Sequence, residues 1–266
     1  MELRLRQVVL VARDKAATVA AMDTALGVAP VHGSGDLSPY GLPAEGPMSE
    51  GGRQVLAKLG VENLIFPIGA DFIEVMFPTR PDGATVGFMD RRGGDSGYML
   101  VLQTDDVARY EVLAQREGVR ISHKAEFPHY RDIHLHPRDC GGALLSMARN
   151  LPDNSPDGPW YPAGTAWETR ANLSRVAGLA AAELRSPEPA VLAARWGRLL
   201  DLPVEAGEGH WLIRLEHGAL RFAATAPGQK EGLCGIDLRL RGPGGADAAE
   251  ADRTLQLCGM TVRLVA

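Results

Sequence analysis

Hydrophobic and polar positions along this chain of 266 residues fall into short, repeated blocks. The first block opens with a run of Leu and Val, which predicts a strand. Asp14 follows as a helix N-cap, apolar residues recur at helical spacing up to Leu26, and Gly27 ends the helix. A loop rich in Gly and Pro covers residues 32–52, and two further strands meet at a turn at Gly69. The strands predicted in this block cover residues 3–12, 62–67 and 71–77.

The same order of elements returns further along the chain. Asp105 and Asp106 predict the start of a second helix, which ends near Gly118. The segment PRDCGG predicts a tight hairpin turn between the last two strands of this block. The two blocks begin roughly 90 residues apart, a period typical of a duplicated supersecondary unit rather than of a solenoid. The predicted strands cover residues 97–104, 119–122, 132–136 and 143–147, and the predicted helix covers 107–117.

Residues 151–172 contain four prolines and two tryptophans with little periodicity, which indicates a linker between two domains. Trp160 and Trp167 are large and apolar, so we expect this linker to pack on a domain surface. Beyond it the pattern starts a third and a fourth time in shorter form. The predicted strands are 175–184, 211–215, 219–223, 235–240 and 260–265, and the predicted helices are 190–200 and 246–259. The chain therefore divides into a first domain over 1–150 and a second, truncated domain over 173–266.

Composition narrows the class of protein. Hydrophobic residues make up 45% and charged residues 23% of the chain, which is ordinary globular usage. The formal net charge is −5 and no run of Lys or Arg occurs, so nucleic acid is not an expected partner. No segment approaches the ~20 apolar residues that cross a bilayer, and the three cysteines form no CxxC pair. We expect a cytoplasmic protein that binds neither nucleic acid nor membrane.

Three phrases of the sequence resemble the vicinal oxygen chelate superfamily, the glyoxalase–bleomycin resistance–dioxygenase group. The opening RQVVLVARDKAATVAAMDTALG resembles the first unit of this superfamily, and NLIFPIGADFIEVMFP resembles the closing hairpin of that unit. HLHPRDCGGALLSM resembles the closing hairpin of methylmalonyl-CoA epimerase-type members. The resemblance implies an α+β fold of paired βαβββ units that form two glyoxalase-like domains, the second of them shorter and degenerate.

Members of this superfamily usually hold a divalent metal in the cup of a curved sheet, with two ligands from each unit. The first unit of this chain places Gln7 and Glu74 at those positions, and both are acceptable ligands. The second unit places Met99 and Ser146 there, and neither suits a hard cation. The resemblance therefore implies no cofactor, or a weakly bound divalent metal at Gln7 and Glu74. In the second domain the matching positions fall near residues that cannot bind a metal, namely Leu179 and Phe222 or Ala223, and the last unit adds only Asp237.

Two of these residues also attract notice from their own surroundings. Glu74 lies in an apolar strand, where a carboxylate must be paired, coordinated or turned toward a cleft. We favour the cleft over a solvent-facing edge. Gln7 interrupts another apolar strand and, taken alone, is equally well an ordinary polar residue.

Histidines and arginines offer further candidates. His134 and His136 alternate and would share one face, where they could bind a metal or move a proton. A structural role for the pair is the favoured reading. Arg4 and Arg6 could bind a carboxylate, although solvated surface arginines are commoner. We expect a small-molecule ligand in the first cup, with Met99, Ser146 and His134 opposite the residues at positions 7 and 74.

Three functions remain open at this point. The first is a lyase, isomerase or epimerase that acts on a small oxygenated acid or its thioester, with Glu74 as the catalytic base. The alternative is a non-catalytic small-molecule-binding protein with a degenerate metal site. A ring-cleaving dioxygenase shares the two-domain layout but needs two His and one carboxylate around iron, so it ranks last. Folds of this kind often pair edge to edge, which makes a homodimer a further expectation.

Overall fold

The computed structural model describes residues 3–43, 50–164, 167–172, 174–241 and 252–266, with the side chains of residues 50–53 excepted. Two mixed sheets form the frame of the molecule, and each is curled, with its helices on the outside. The predicted α+β class and the predicted second, smaller glyoxalase-like domain are confirmed. Among the described residues, no helix is long and apolar enough to cross a bilayer.

Eight strands build the first sheet. They are β1 (Leu3–Val11), β2 (His32–Gly33), β3 (Val61–Ile68), β4 (Asp71–Pro78), β5 (Ser96–Thr104), β6 (Ile121–Phe127), β7 (Tyr130–Leu135) and β8 (Leu144–Asn150). Their order is β2-β3-β4-β1-β5-β8-β7-β6. The opening strands β1 and β5 of the two units pair antiparallel in the middle, and each also runs parallel to a strand of its own unit, β4 or β8.

Helices of the first sheet follow the predicted caps. Asp14 accepts a hydrogen bond from the Ala17 N–H at 2.8 Å, and Asp106 accepts one from the Arg109 N–H at 3.1 Å. Gly27 ends the first helix with φ +67°, a conformation that a side chain disfavours. The helices are α1 (Lys15–Leu26), α2 (Glu50–Leu59), α3 (Ala84–Arg92), α4 (Val107–Arg116) and α5 (Pro137–Cys140).

In the described part of the second domain, seven strands form the second sheet and one long helix packs on it. They are β9 (Val176–Ser186), α6 (Pro189–Leu200), β10 (Glu205–Gly207), β11 (His210–Arg214), β12 (Ala219–Ala224), β13 (Gly232–Leu240), β14 (Thr254–Leu257) and β15 (Met260–Val265). Their order is β10-β11-β12-β9-β13-β15-β14. This is the order of the first sheet without its last strand, because β9 and β13 again pair antiparallel and each has a parallel neighbour.

Strand alternation separates two faces in the first sheet. Val8 and Leu10 point to the outer face, where α1 and α4 pack, and this core continues into the second sheet and α6. Val9 and Val11 point to the inner face, which holds a second cluster rich in aromatic rings. We call this inner, concave face of the first sheet the first cup, and the corresponding face of the second sheet the second cup. The outer faces of both sheets therefore contribute to one continuous core.

Several predictions of secondary structure are wrong. Residues 254–257 were expected in a helix but form β14, because their side chains alternate and the strand pairs antiparallel with β15. Residues 246–251 of that predicted helix lie outside the described residues. The expected loop over 32–52 contains β2 and the start of α2. The hairpin turn PRDCGG holds the short helix α5, although β7 and β8 do pair antiparallel. The pattern of the sequence did not predict α2 or α3.

Candidate functional site

A buried carboxylate lies at the centre of the first cup. Glu74 on β4 faces the hollow because its neighbours Ile73 and Val75 point into the main core. Glu74 is only 9% exposed to solvent. Gln7 Nε2 donates to its Oε2 at 2.6 Å, and Asn63 Nδ2 donates to its Oε1 at 2.8 Å. Both carboxylate oxygens are thus held by neutral amide donors.

A tryptophan from the segment after β8 closes this cluster. Trp160 is fully buried, and its Nε1–H donates to Gln7 Oε1 at 2.6 Å. Its ring stacks on Phe72 with centroids 6.5 Å apart and meets Tyr130 edge to face at 5.8 Å. The predicted packing of Trp160 on a domain is therefore observed, and the surface it covers is the cup itself. The hydrogen-bond chain runs from Trp160 through Gln7 to Glu74.

The surroundings of Glu74 favour its neutral form. Burial raises the pKa of this carboxyl, while the hydrogen bonds from Asn63 and Gln7 and the nearby His134 act in the opposite direction. A carboxylate whose pKa is raised by burial is a stronger base than an exposed one. This is the physical property that a catalytic base needs.

The opposite wall of the cup carries a second polar chain. Ser146 Oγ donates to Asp132 Oδ1 at 2.5 Å, and Asp132 Oδ2 lies 2.7 Å from His134 Nε2. Burial alone would lower the pKa of His134, but the Asp132 carboxylate and, further away, Glu74 raise it. The imidazole is therefore stabilised as a cation opposite the carboxyl of Glu74. His123 on β6 lies beside it, with ring centroids 4.9 Å apart.

The structure brings all five predicted site residues to the same cup. Gln7 and Glu74 touch each other, and Ser146 lies directly opposite His134 in the strand register. Met99 is partly buried and packs against the aromatic cluster of the cup. Their functional roles stay predictions. His136 does not share the face of His134, because β7 ends at Leu135 and His136 caps α5 by accepting from the Arg138 N–H at 3.3 Å.

Arginines near the start of β1 are buried, so the surface interpretation of Arg4 and Arg6 is wrong. Arg4 pairs with Asp71 at 2.8 Å. The Cζ of Arg6 lies 5.3 Å from the Trp160 ring centroid, and its Nη2 donates to the Gly158 carbonyl at 2.7 Å. Its Nε and Nη1 are buried without a hydrogen-bond partner among the described residues, and burial, followed by the charge of Arg4, lowers the pKa of Arg6 to about 10. Arg6 thus fixes the segment that carries Trp160.

The donor set of the first cup does not fit a divalent metal. Gln7 Oε1 and both oxygens of Glu74 already accept hydrogen bonds from protein N–H groups, and the Ser146 hydroxyl donates to Asp132. Met99 offers only a thioether, which hard cations bind poorly. Within the described part of the chain, no group of three or more His, Cys, Asp or Glu residues is arranged to hold a metal ion. The expectation of at most weak metal binding stays a prediction that elemental analysis can test.

Sequence reasoning missed three members of this site. Asn63, Asp132 and Trp160 were not singled out as site residues, yet each makes a direct hydrogen bond to a predicted site residue. Asn63 precedes an apolar run, and Asp132 alternates with His134, so strand periodicity places both on the inner face. No local pattern places Trp160 against Gln7, because the two residues lie 153 positions apart in the sequence.

A cavity of about 240 Å³ lies elsewhere, on the outer side between α4 and the β6–β7 hairpin. Three of its charged residues are paired, since Lys124 forms ion pairs with Glu111 at 2.8 Å and with Glu126 at 3.4 Å. Because this groove is open to solvent and its carboxylates at 111 and 126 are engaged by a lysine, we place the candidate site in the first cup.

A family model described as the glyoxalase-like domain matches residues 8–200, which is more than half of the chain. The chain belongs to the glyoxalase-like domain family. Its resemblance to the vicinal oxygen chelate superfamily is thereby confirmed. The matched range contains the whole first cup beyond Gln7 and ends with α6, so most strands of the second sheet lie outside it. No curated protein matches this chain.

Solved structures extend the likeness over both glyoxalase-like sheets. A hypothetical protein from Staphylococcus aureus superposes with a TM-score of 0.67 at 11% identity, with 99% of each chain covered. A triple mutant of 4-hydroxymandelate synthase from Streptomyces coelicolor gives a TM-score of 0.61 at 13% identity and covers 90% of this chain and 71% of that chain. Methylmalonyl-CoA epimerase from Mycobacterium tuberculosis is 19% identical, with a TM-score of 0.42 over 57% of this chain and 89% of that chain. The first two likenesses show the fold alone.

Proposed function

We propose that the first cup is a proton-transfer site of a lyase, isomerase or epimerase, with Glu74 as the base and a small oxygenated acid or its thioester as substrate. The observation that carries this proposal is the burial of Glu74, which raises the pKa of its carboxyl against the opposite effect of the Asn63 and Gln7 hydrogen bonds. A carboxylate of this kind abstracts a proton next to a carbonyl more readily than a solvated one.

The proposed step uses both walls of the cup. The C–H bond next to the substrate carbonyl breaks, its proton passes to a Glu74 oxygen, and the electron pair moves onto the carbonyl oxygen. One N–H of each of the Gln7 and Asn63 amides donates to Glu74, and the second N–H of each would donate to that developing oxyanion. His134, whose pKa is raised by the Asp132 carboxylate, then supplies a proton from the opposite side. Return of a proton to the other face of the carbon gives an epimer, and return to a different atom gives an isomer.

Hydrogen exchange tests the proposal without knowledge of the physiological substrate. The full chain is incubated in D₂O with a panel of 2-hydroxy acids, 2-oxo acids and acyl thioesters, and deuterium at the carbon next to the carbonyl is followed by NMR. We expect at least one class to exchange faster than in buffer, and Glu74→Gln to lower that rate by a factor of at least 100, the size of a general-base contribution. Glu62→Gln is the matched control, because Glu62 lies on β3 but pairs with Lys15 outside the cup.

A result against the proposal is equally clear. Exchange that survives in folded Glu74→Gln would remove Glu74 from the catalytic role. An absence of exchange with every class in the wild-type protein would favour the second candidate, a binding protein without catalysis.

That second candidate has an observation of its own. Trp160 packs into the cup and donates to Gln7, and amides hold both oxygens of Glu74. These groups satisfy one another in the closed cup, as expected of a site that opens only to take up a ligand. A dioxygenase is not proposed, because the cup lacks two histidines and a carboxylate arranged around a common point within the described residues.

A further inference from the structure

Charged side chains cover the second cup where the first has aromatic rings. Glu183 on β9 and Asp237 on β13 point away from the core, because their neighbours Leu184 and Ile236 belong to it. Arg221 donates from Nη1 to Glu183 Oε2 at 3.1 Å and from Nη2 to Asp237 Oδ2. Of these charged residues, only Asp237 was expected at a matching position from the sequence, and only as a lone carboxylate.

Two further guanidinium groups join the same carboxylates. Arg263 on β15 donates from Nε to Asp237 Oδ1 at 2.7 Å and from Nη2 to Glu183 Oε2 at 2.5 Å. Arg185 donates from Nε to Glu183 Oε1 at 3.1 Å. Among the described residues, three guanidinium groups therefore face two carboxylates, which leaves one positive charge in excess within this network.

The network is layered with its carboxylates underneath. The side chains of Glu183 and Asp237 are 6% and 7% exposed, whereas those of Arg221, Arg185 and Arg263 are 22%, 22% and 27% exposed. Nε of Arg221 and Nη1 of Arg263 make no hydrogen bond to a described residue. The second cup therefore presents cationic guanidinium groups to solvent, and the carboxylates that hold these groups lie beneath them.

Strand register shows which positions these arginines occupy. Two register shifts occur at matching places in both central strand pairs, and the second pair has a third near the start of β9. Val9 and Met99 of the first sheet therefore correspond to Glu183 and Gly235 of the second. Val9 faces Glu74 across β1 and β4, and Glu183 faces Arg221 across β9 and β12. Arg221 therefore stands where Glu74 stands in the first cup. The expected match near Phe222 or Ala223 was displaced by one or two residues.

The other wall gives the same result. Val101 faces Ser146 across β5 and β8, and Asp237 faces Arg263 across β13 and β15. Because Val101 and Asp237 occupy corresponding positions, Arg263 stands where Ser146 stands. Both last-strand positions of the second cup are therefore arginines.

A structural role alone does not explain this arrangement well. Charges taken from water must overcome their desolvation, and well-packed apolar residues at such positions are often as stabilising or more so. The aromatic cluster of the first cup shows that apolar side chains can pack on the concave face of a sheet with this topology. Guanidinium forks match carboxylate and phosphate oxygens geometrically, which gives a reason for three of them on a concave surface.

We propose that the second cup binds a small oxyanion, of the carboxylate or phosphate class, on the guanidinium groups of Arg221 and Arg263. Glu183 and Asp237 hold these groups from beneath and keep their unengaged N–H donors directed to the opening. Arg185 completes the cationic wall. The excess positive charge of the network is the charge that the anion neutralises.

Titration of the full chain with defined anions tests the proposal. Sodium acetate, sodium malonate and inorganic phosphate are added separately at ionic strength held constant with chloride, and the Nε–Hε signals of the arginines are followed by NMR. We expect saturable shifts for Arg221 and Arg263 with malonate, phosphate or both, and the stronger of the two identifies the class. Chloride alone should give no saturable shift.

Variants locate the site. Arg263→Gln should weaken binding at least tenfold, whereas Arg198→Gln, which removes an exposed arginine of α6 on the outer side of the sheet, should leave it unchanged. If Arg263→Gln fails to fold by circular dichroism, Arg263→Lys decides, because it keeps the charge and loses the fork, and weaker binding is again expected. Linear shifts with every anion, or an affinity unchanged in the folded Arg263 variant, would overturn the proposal.

Discussion

In the first cup the Glu74 carboxylate lies beneath amides and aromatic rings, whereas in the second cup the carboxylates of Glu183 and Asp237 lie beneath guanidinium groups. The two sheets share the order of their corresponding strands and two register shifts of the central pair. The side chains that fill the cups differ: a tryptophan from outside the sheet closes the first cup, and the charges of the second are paired within its own strands. The comparison teaches that one backbone frame can present either a proton acceptor or cationic donors at the same pair of positions.

Removal of Trp160 should break the first cup more than any other single change. Trp160→Ala leaves a large hole beside Phe72 and Tyr130, and we expect a loss of about 3–5 kcal/mol in the free energy of unfolding. Urea denaturation followed by circular dichroism measures it. Trp160→Phe keeps a ring but loses the N–H bond to Gln7, so a smaller loss of about 1–2 kcal/mol is expected. Equal effects of the two variants would mean that the packing of the ring is not what matters.

Removal of one carboxylate should unbalance the second cup. Glu183→Gln leaves three guanidinium groups facing Asp237 alone, and we expect a loss of about 3 kcal/mol, because one partner of a buried ionic network is missing. The same denaturation measurement applies. Glu205→Gln is the control, since Glu205 pairs with Arg214 at an exposed site whose ion pair contributes about 0–1 kcal/mol. A Glu183 variant as stable as this control would show that the network does not hold the sheet.

A fall in pH should reduce the contribution that Glu183 of the second cup makes to the free energy of unfolding. Burial alone would raise the pKa of Glu183, but Arg263, Arg221 and Arg185 together lower it below the ordinary range. A carboxyl with a lowered folded-state pKa stabilises the protein above its unfolded pKa and loses that contribution as the pH falls through the folded one. The stability gap between wild type and Glu183→Gln should therefore be full at pH 7 and shrink below about pH 4.3, the ordinary value for Glu. A gap that stays constant down to pH 3 would contradict this assignment.

The smallest expected effect is a change in the pKa of His134 in the first cup. Asp132 raises the pKa of His134 against the lowering effect of burial, so the imidazolium should persist above the ordinary range of histidine. An NMR titration of the ring nitrogens measures this directly. In Asp132→Asn burial should dominate and move the pKa of His134 downward. If the titration is the same in both proteins, the short contact between Asp132 and His134 does not control the ring.

The fold could be predicted because its signals are local. Caps such as Asp14 and Asp106 and the apolar runs of β1, β4 and β5 depend on neighbours within a few residues, and the structure confirms them. The segment before β15 could not be predicted, since its composition suits a helix and only pairing with β15 makes residues 254–257 a strand. Tertiary contact overrode local propensity there.

Some residues of the candidate site could likewise be predicted from the sequence, and others could not. Gln7 and Glu74 could be placed together from the alternation of two strands and the family resemblance. Trp160 could not, because the contact to Gln7 depends on how the segment after β8 folds back over the sheet. In the second cup the alternating charges at Arg221, Asp237 and Arg263 were readable, but one residue of register error moved the comparison onto their apolar neighbours.

The segment that carries Trp160 joins the two sheets and also fills the first of them. Trp160 and a small molecule that approaches Glu74 from this side compete for the same space. Because Trp160 is tethered to the protein, its effective concentration is fixed by the chain and not by the solution. If the tryptophan leaves the cup in about 1% of molecules, the measured dissociation constant is about 100 times the intrinsic one. Affinity at Glu74 is therefore set as much by the anchoring of this segment through Arg6 and Gly158 as by the groups that touch the ligand.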